Sequence, residues 1–361
     1  MTSVFMRRAL ELAESVLGST SPNPNVGCVI ERDGRIVGEG ATQPAGDAHA
    51  EVMALREAGD AARGATAYVT LEPCSHFGRT PPCADALMEA GVASVRIALI
   101  DPDPNVAGRG AEKLHAAGID ATTGDGEAES AKLLEAYLKH RATGLPFVIA
   151  KFAATLDGQI AASSGDSRWV AGDEARAWAH GFRTRVDAIM CGINNVLLDD
   201  PQLTARPGGT AAARQPLRVV ADSRGRTPHD AKVLGPGGHT LIATTDASPV
   251  AWRDEIAAAG AEVCVLATDA NGHVDMPSLL RELGGRGILS LLVEGGGVLH
   301  GSMFDARLVD KVHAIIAPKI VGGGAYHAVA GAGVARMADA VTLRDVDVLR
   351  LGADVAFVGY V

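Results

Sequence analysis

The sequence has little of what marks a membrane, secreted or nucleic-acid-binding protein. Of its 361 residues 4% are aromatic, and five are cysteine, an odd and thinly spread set that excludes a disulfide framework and leaves metal binding or redox chemistry. No apolar run approaches ~18 residues, and the N-terminal stretch has charges inside its apolar pattern, so neither a membrane helix nor a signal peptide is predicted. The net charge is −10, with no stretch rich in lysine or arginine, which argues against a nucleic-acid surface. We therefore expect a cytoplasmic protein.

What is present indicates a folded chain of two domains. Hydrophobic residues make up 47% and charged residues 21%, close to the globular average, and the length fits two domains of ~100–200 residues. Glycine is abundant, with 43 residues, nearly twice the usual share. Many of these glycines follow apolar runs, where ligand-binding loops of α/β proteins lie.

Strands and helices alternate along the chain, a pattern that predicts layered α/β domains. In the first half the predicted helices are 3–17, 49–58, 83–90, 113–117 and 129–140, and the predicted strands are 26–30, 35–39, 67–71 and 95–100. In the second half the predicted strands are 147–152, 186–191, 217–221, 239–243, 262–266, 288–293 and 312–317, and the predicted helices are 173–183, 250–259, 276–283 and 298–306. Gly144 and Pro146 follow a helix and precede a strand directly, so we place the domain boundary there and expect domains 1–145 and 146–361.

The strongest local pattern is His49-Ala-Glu51, followed by Pro73-Cys74 and then Cys83. One imidazole and two thiolates form a three-ligand zinc set that leaves a fourth position for water. Glu51 lies two residues from His49 at the start of a helix, so the two side chains point in different directions. His49 can therefore bind the metal while Glu51 reaches the metal-bound water. Zinc deaminases use this arrangement, with the glutamate as general acid and base. The alternative is a pair of structural cysteines beside a surface histidine.

Longer segments around this pattern resemble the riboflavin-pathway pyrimidine deaminases. The segment Leu71-Glu-Pro-Cys-Ser-His-Phe-Gly-Arg-Thr-Pro-Pro-Cys83 has that family's long insert between the cysteines. Two further matches are Pro22-Asn-Pro-Asn-Val-Gly27 and 101–110, although Asp103 stands where the family pattern has Asn. The resemblance implies a cytidine-deaminase-like three-layer domain that removes the 2-amino group of 2,5-diamino-6-(ribosylamino)-4-pyrimidinone 5′-phosphate. It also suggests that Asn23 and His76 hold the base and that Arg79 pairs with the phosphate, against the alternative of turn chemistry or solvation.

The second half has a glycine turn after a buried strand. Residues 288–293 are almost wholly apolar, as in a parallel strand, and Gly295–Gly297 follow, which permits a tight turn into a helix that can receive an anion. By itself this pattern is more typical of a packing turn. Its context is the segments Lys151–Gly158, Ser167–Trp169 and Asn195–Arg206, which match the reductase half of the same family. The resemblance then implies a dihydrofolate-reductase-like domain that uses NADPH.

The resemblance to the reductase half of the family assigns roles to individual residues of this second half. The resemblance assigns cofactor contacts to Ala153, Trp169, Asn195, Asp199 and the loop residues Gly296, Gly297, Val298, Leu299, His300, Gly301 and Ser302, with Asn195 standing where Thr or Ser is expected. It assigns substrate contacts to Lys151, Ser167, Arg183, Leu203, Arg206 and Glu294. Ser223 and Arg224 follow a strand and could bind the 2′-phosphate that distinguishes NADPH from NADH. Structural alternatives exist for several of these residues: Trp169 as core, Asp199 as a turn cap, Arg183 as a solvated charge and Lys151 at a sheet rim.

We therefore predict a bifunctional enzyme with one zinc ion in its first domain and NADPH in its second. It would act on small pyrimidine ribose phosphates, bind neither nucleic acid nor membrane, and form a homo-oligomer, a dimer or tetramer. A deaminase that edits nucleic acid is the alternative within the same class. A non-catalytic nucleotide- or flavin-binding protein is the alternative from another class, and the intact set of His49, Glu51, Cys74 and Cys83 opposes it.

Overall fold

The computed structural model describes residues 2–77, 81–324 and 326–361. The chain divides into two compact units, the first ending at Gly144 and the second beginning at Leu145. In the described part of the chain, no helix is both long enough and apolar enough to cross a membrane.

The first unit is built on a five-stranded mixed sheet. Its strands are β1 (Gly27–Arg32), β2 (Arg35–Ala41), β3 (Thr66–Val69), β4 (Ser94–Ile97) and β5 (Asp120–Thr123), in the order β2-β1-β3-β4-β5. Its helices are α1 (Val4–Ser15), α2 (Ala50–Ala58), α3 (Cys83–Ala90), α4 (Arg109–Ala116), α5 (Glu127–Leu133) and α6 (Glu135–Thr143). Strand β1 runs antiparallel to both β2 and β3, whereas β3, β4 and β5 are parallel.

Small residues bring two helices onto opposite faces of this sheet. A side chain at Gly27 of β1 would strike the backbone of α1 at Ala9, and one at Gly40 of β2 would strike α2 at Ala50. Cys28 pairs with Gly40, so Gly27 and Gly40 point to opposite faces, because side chains alternate along a strand. Helices α1 and α2 therefore cover the two faces, and the predicted three-layer arrangement is confirmed.

The second unit has a nine-stranded sheet. Its strands are β6 (Phe147–Thr155), β7 (Ala188–Gly192), β8 (Leu217–Ala221), β9 (Thr240–Thr244), β10 (Glu262–Val265), β11 (Ser290–Val293), β12 (Lys311–Ala317), β13 (Arg344–Leu351) and β14 (Asp354–Tyr360). The order is β10-β9-β8-β7-β11-β6-β12-β14-β13, parallel as far as β12 and antiparallel beyond it. Its helices are α7 (Asp173–Phe182), α8 (Ile193–Asp199), α9 (Val250–Ala258), α10 (Met276–Gly285) and α11 (Gly297–Asp305).

The core of the second unit explains its apolar strands. Val148, Met190, Leu241 and Leu291 come from four different strands and are all fully buried in one cluster. Burial on both faces is what a near-continuous apolar run predicts for a parallel strand. The loops that the sequence predicts to bind ligands follow the carboxyl ends of these strands, so the sheet places them along one edge.

Several elements differ from the sequence predictions. The helix predicted over 129–140 is two helices, α5 and α6, that meet at Leu134. Strands β5, β13 and β14 and helix α8 were not predicted. Three of the four residues of β5 and almost all of β13 are exposed, because both are edge strands that bury few side chains and leave a weak hydrophobic pattern. Helix α8 directly follows β7, and its N-cap Gly192 is also the last residue of that strand.

Candidate active sites

Three donor atoms meet at the start of two helices in the first unit. His49 immediately precedes α2 and Cys83 is the first residue of α3, while Cys74 lies in the loop after β3. The His49 Nδ1 lies 3.3 Å from the Cys83 Sγ and 3.7 Å from the Cys74 Sγ, and all three donor atoms lie within 4.8 Å of one another. Tetrahedral zinc with Zn–S of ~2.3 Å and Zn–N of ~2.0–2.1 Å would separate such atoms by about 3.6 Å. The three residues therefore fit a zinc ion.

The charges of the cluster also suit a metal. The pKa of Cys74 is lowered to about 4, because its sulfur accepts hydrogen bonds from the Cys83 thiol, from His49 and from the Cys83 backbone N–H at 3.3 Å. A thiolate is the form of cysteine that binds metal. At Cys83 the pKa is raised, because its thiol donates to Cys74 and is buried. A bound divalent cation would favour the thiolate form of both cysteines.

Glu51 lies one residue inside α2 and is 4% exposed. Burial, with the Cys74 charge adding to it, raises its pKa to about 7, while His49 opposes this shift. A carboxyl group with a pKa near neutrality can both accept and donate a proton under physiological conditions.

His49, Glu51 and Cys74 line a cavity of about 290 Å³ that also includes Asn23 and His76, two of the predicted base contacts. Arg79, the predicted phosphate contact, lies outside the described residues. The acidic residues of the lining are Asp47, Glu51, Glu72, Asp101 and Asp103.

Glu72 holds one wall of this cavity, a role that the sequence did not predict. It is 4% exposed, and its two carboxylate oxygens accept backbone N–H groups from Asp101 at 3.2 Å, Gly108 at 2.9 Å, Gly110 at 2.8 Å and Ala111 at 3.1 Å. The loop that carries Asp101 and Asp103 is thereby tied to the chain two residues before Cys74. A glutamate before a Pro-Cys pair is the only sequence signal for it.

Helix α6 contributes Tyr137 and Arg141 to the same cavity, and these were also missed. The Tyr137 hydroxyl donates to both oxygens of Asp101, at 3.0 and 3.2 Å. Arg141 lies over the Tyr137 ring, 5.1 Å from its centroid, and its Nε lies 3.6 Å from the Asp103 Oδ2. The four-residue spacing of Tyr137 and Arg141 on one helix face was the available signal.

The second unit has a larger cavity, of about 870 Å³, within the range of small-molecule and cofactor sites of ~300–1,000 Å³. Most of the predicted cofactor residues line it: Ala153, Asn195, Asp199, Ser223, Arg224, Gly296, Gly297, Val298, Leu299 and Ser302. The predicted substrate residues Lys151, Ser167 and Glu294 line it as well. The cavity combines apolar walls with several polar groups that point into it. Such a lining suits a dinucleotide bound beside a second small molecule.

A buried ion cluster lies at the wall of this cavity. The Arg183 Nε and Nη2 each donate to a Glu294 oxygen at 2.9 Å, and the Lys151 Nζ lies 3.5 Å from the same carboxylate. Burial acts to raise the pKa of Glu294, but the charges of Arg183 and Lys151 outweigh it and hold that pKa well below its usual range. The alternatives of a solvated charge for Arg183 and a rim position for Lys151 are wrong, because Arg183 is 13% exposed and Lys151 lies in the middle of β6.

Other predicted residues are placed away from the cavity lining. His300 is fully buried, with its ring nitrogens 3.2 Å from the carbonyl oxygens of Ala328 and Val293, and a side chain at Gly301 would strike the backbone of Ala330. Both residues pack against the segment 328–330 and are absent from the lining of this cavity. Leu203 is 3% exposed and Arg206 is exposed, and neither lines the cavity.

Trp169 also lies off the lining, but it is not a core residue. Its side chain is 62% exposed, and the Arg176 guanidinium lies over its ring, 4.3 Å from the centroid. The alternative that Trp169 packs in the core is therefore wrong.

Asn195 and Asp199 anchor the loops around the cavity. The Gly296 N–H donates to the Asn195 Oδ1 at 2.7 Å, which leaves the Asn195 amide nitrogen for a ligand. The Ser167 hydroxyl donates to the Asp199 Oδ1 at 3.1 Å. The polar lining residues that the sequence did not predict include Asn194, Arg226, His273, Tyr326 and His327.

Comparisons with known proteins agree with this arrangement. Residues 146–357 match the RibD C-terminal domain family, and residues 1–99 match the cytidine and deoxycytidylate deaminase zinc-binding region. The riboflavin biosynthesis protein RibD of Escherichia coli K12 is 42% identical, with 97% of each chain covered. The same protein of Bacillus amyloliquefaciens is 41% identical, covering 98% of this chain and 95% of its own.

Solved structures give the same result. Acinetobacter baumannii RibD is 39% identical with a TM-score of 0.88, covering 99% of this chain and 97% of its own. A Thermotoga maritima diaminohydroxyphosphoribosylaminopyrimidine deaminase/5-amino-6-(5-phosphoribosylamino)uracil reductase is 34% identical with a TM-score of 0.86, covering 99% of this chain and 98% of its own. The chain therefore belongs to the RibD family of riboflavin biosynthesis proteins, bifunctional enzymes that join a zinc deaminase domain to a reductase domain.

Proposed function

We propose that the first domain deaminates 2,5-diamino-6-(ribosylamino)-4(3H)-pyrimidinone 5′-phosphate and that the second reduces the ribosyl group of 5-amino-6-(5-phosphoribosylamino)uracil to ribityl with NADPH. The observation that carries the proposal is the presence, in one chain of this family, of a His-Cys-Cys donor set beside a buried glutamate and of a separate large cavity lined by glycines. We place the reaction in the cytoplasm and expect a homo-oligomer, as the sequence predicts.

In the deaminase site, His49, Cys74 and Cys83 would hold zinc, a Lewis acid that makes water nucleophilic near neutral pH. Glu51 accepts a proton from the attacking water as its oxygen bonds to C2 of the pyrimidine. The same carboxyl group first donates this proton to the ring nitrogen. It then takes the proton of the new C2 hydroxyl and passes it to the amino group, which leaves as ammonia when the C2–N bond breaks and the C2 carbonyl forms. The buried position of Glu51 keeps its pKa near the pH at which both transfers occur.

In the reductase site, bound NADPH would supply a hydride to C1′ of the ribosylamino group, which opens the sugar ring. The chain's contribution is orientation. The glycines at 296 and 297, with Asn195 and Ser302, line the part of the cavity where the dinucleotide would lie. Lys151 and Glu294 present a donor and an acceptor to the pyrimidine, and Arg183 fixes the Glu294 carboxylate from behind.

Mass spectrometry of the product tests both steps. The zinc-loaded enzyme is given the diamino substrate with and without NADPH. We expect conversion of one amino group to an oxo group without NADPH, and addition of two further hydrogens with it. An unchanged substrate in both reactions would contradict the proposal.

A further inference from the structure

The deaminase cavity is acidic, although the substrate proposed for it is a phosphate ester. Five carboxylate residues are among the described residues that line it, and the only lysine or arginine among them is Arg141. A phosphate dianion entering such a cavity is repelled unless a cation lies close to where it binds. Among the described residues, Arg141 is therefore the one whose charge matters most to an anionic ligand.

The Arg141 side chain is held in position with donors to spare. It is 31% exposed, and the Tyr137 ring lies under its guanidinium group. Its Nε is buried and, within the described residues, makes no hydrogen bond, because the Asp103 Oδ2 at 3.6 Å is close enough for an ion pair but too far for a hydrogen bond. A guanidinium group carries five N–H donors in a planar fork, the geometry that binds a phosphate through two oxygens.

The neighbours of Arg141 explain why it stays in this position. Tyr137 donates to Asp101, and Asp101 accepts the backbone N–H of Asp103 at 2.9 Å. The second Asp103 oxygen accepts the N–H of Asn105 at 2.8 Å. Asp103 is thus fixed by the loop that Glu72 anchors, and it orients the guanidinium without using up its donors.

We propose that Arg141 is a specificity-determining residue of the deaminase site that binds the 5′-phosphate of the pyrimidine nucleotide. The inference rests on the proposed function and deepens it, since it names the group that selects a nucleotide over the corresponding nucleoside. Arg141 takes no part in the chemistry at C2.

Steady-state deamination by the full-length, zinc-loaded enzyme tests this. The substrates are the diaminopyrimidine nucleotide and its nucleoside, prepared by dephosphorylation, and the variants are Arg141→Met and Arg141→Lys. Because a hydrogen bond to a charged group contributes roughly ten- to hundredfold in binding, Arg141→Met should raise the KM for the nucleotide by about that factor. Its kcat and its kcat/KM for the nucleoside should stay the same, and Arg141→Lys should give an intermediate KM.

Arg96→Met is the matched control, because Arg96 is 30% exposed, lies in the same unit and pairs with Asp120 at 2.9 Å away from the cavity. It should leave both substrates unaffected. An equal loss for nucleotide and nucleoside in Arg141→Met would overturn the proposal in favour of a structural role. An unchanged nucleotide KM would also overturn it and would place the phosphate elsewhere, for example at Arg79.

Two further measurements keep the test decisive. If Arg141→Met loses zinc or fails to fold, the Arg141→Lys variant provides the test. Lysine keeps the charge but lacks the planar guanidinium group, so a nucleotide KM equal to that of the wild type would contradict bidentate binding of the phosphate. If the wild-type enzyme deaminates neither compound, the proposed function fails separately. Calorimetric titration with ribose 5-phosphate and with ribose then tests the phosphate site alone. Binding of ribose 5-phosphate to the wild type that is lost in Arg141→Met supports the proposal. Equal binding of ribose 5-phosphate by the wild type and by Arg141→Met rejects it.

Discussion

At the scale of single residues, the pKa values of two glutamates are shifted in opposite directions because their neighbours differ. Glu51 is buried beside a thiolate, and burial raises its pKa to about 7. The side chain of Glu294 is 10% exposed, and the charges of Arg183 and Lys151 keep it ionised by lowering its pKa. The first is therefore suited to proton transfer and the second to accepting hydrogen bonds as a fixed anion.

Replacing Glu51 tests the first assignment. We expect Glu51→Gln to retain zinc and to lose deamination by about 10²–10⁴-fold, since an amide still hydrogen-bonds water but transfers no proton. Zinc content and ammonia release measure the two effects. Glu57→Gln, an exposed carboxyl on the same helix, is the control and should be fully active. Substantial residual deamination, or loss of zinc, would show that Glu51 has another role.

Lys151 should set the order of the two reactions. Deamination replaces an amino donor with a carbonyl acceptor, and an ammonium group only donates. Lys151 therefore favours the uracil, and the wild-type reductase should oxidise NADPH with the deaminated compound and ignore the diamino compound. A polar site rejects the wrong partner by as much as ~10⁴-fold.

The measurement is NADPH oxidation by wild type and Lys151→Ala, each with both pyrimidines. Equal turnover of the two pyrimidines by wild type would refute the order. A preference that survives in Lys151→Ala would show that another residue, such as Glu294, makes the distinction.

At the scale of elements, the position of α2 depends on a glycine in a neighbouring strand. Gly40 of β2 lies against α2, where an added Cβ would strike the Ala50 carbonyl oxygen and lie 2.6 Å from the Ala54 nitrogen. Helix α2 carries Glu51 and begins directly after His49, so displacing it moves both a zinc ligand and the proton-transfer group.

We expect Gly40→Ala to destabilise the first domain by roughly 1–3 kcal/mol through overpacking and to lower its zinc content and deamination, while the reductase stays active. Thermal unfolding and metal analysis measure this. Gly64→Ala is the comparison, because that glycine has a positive φ of 74° but open space around it. If Gly64→Ala lowered zinc content as much, general destabilisation rather than displacement of α2 would be the cause.

In the second domain, the position of helix α11 likewise depends on a glycine that lies against a neighbouring backbone. A side chain at Gly297 would strike the His327 carbonyl oxygen, so the glycine turn after β11 is needed for packing as well as for the cavity. The packing turn and the ligand loop, which sequence alone left as alternatives, are thus compatible at this position.

At the scale of the whole molecule, the two activities should be separable. Each domain has its own sheet and its own buried cluster, and each is long enough to fold around its own core. Cys83→Ser removes one thiolate, so we expect loss of zinc and of deamination with most reductase activity retained.

Metal analysis and NADPH oxidation on the deaminated substrate give the two readouts. Cys264→Ser, a half-buried cysteine of β10 outside both cavities, should keep both activities. Loss of both activities in a folded Cys83→Ser enzyme would mean that the two sites depend on each other.

The sequence by itself determined the residues whose chemistry depends on local spacing. His49 and Glu51 are two residues apart at a helix start, and the cysteines follow a strand and begin a helix, so residue type and position along the chain were enough to indicate zinc. The glycine turn after the apolar strand at 290–293 was equally local. Family membership follows from the same segments, and it excludes the two alternative functions, a nucleic-acid-editing deaminase and a non-catalytic binding protein.

Only the tertiary structure decided which distant groups meet. Arg183 and Glu294 are 111 residues apart in the chain, and Glu72 binds loop N–H groups as many as 39 residues away. The same holds for Tyr137 and Arg141, which reach the deaminase cavity from α6, a helix that begins after the break at Leu134. Hydrogen bonds and charge pairs of this kind leave no periodic signal in a single sequence, since they depend on how strands and helices pack rather than on the spacing of residues along either one.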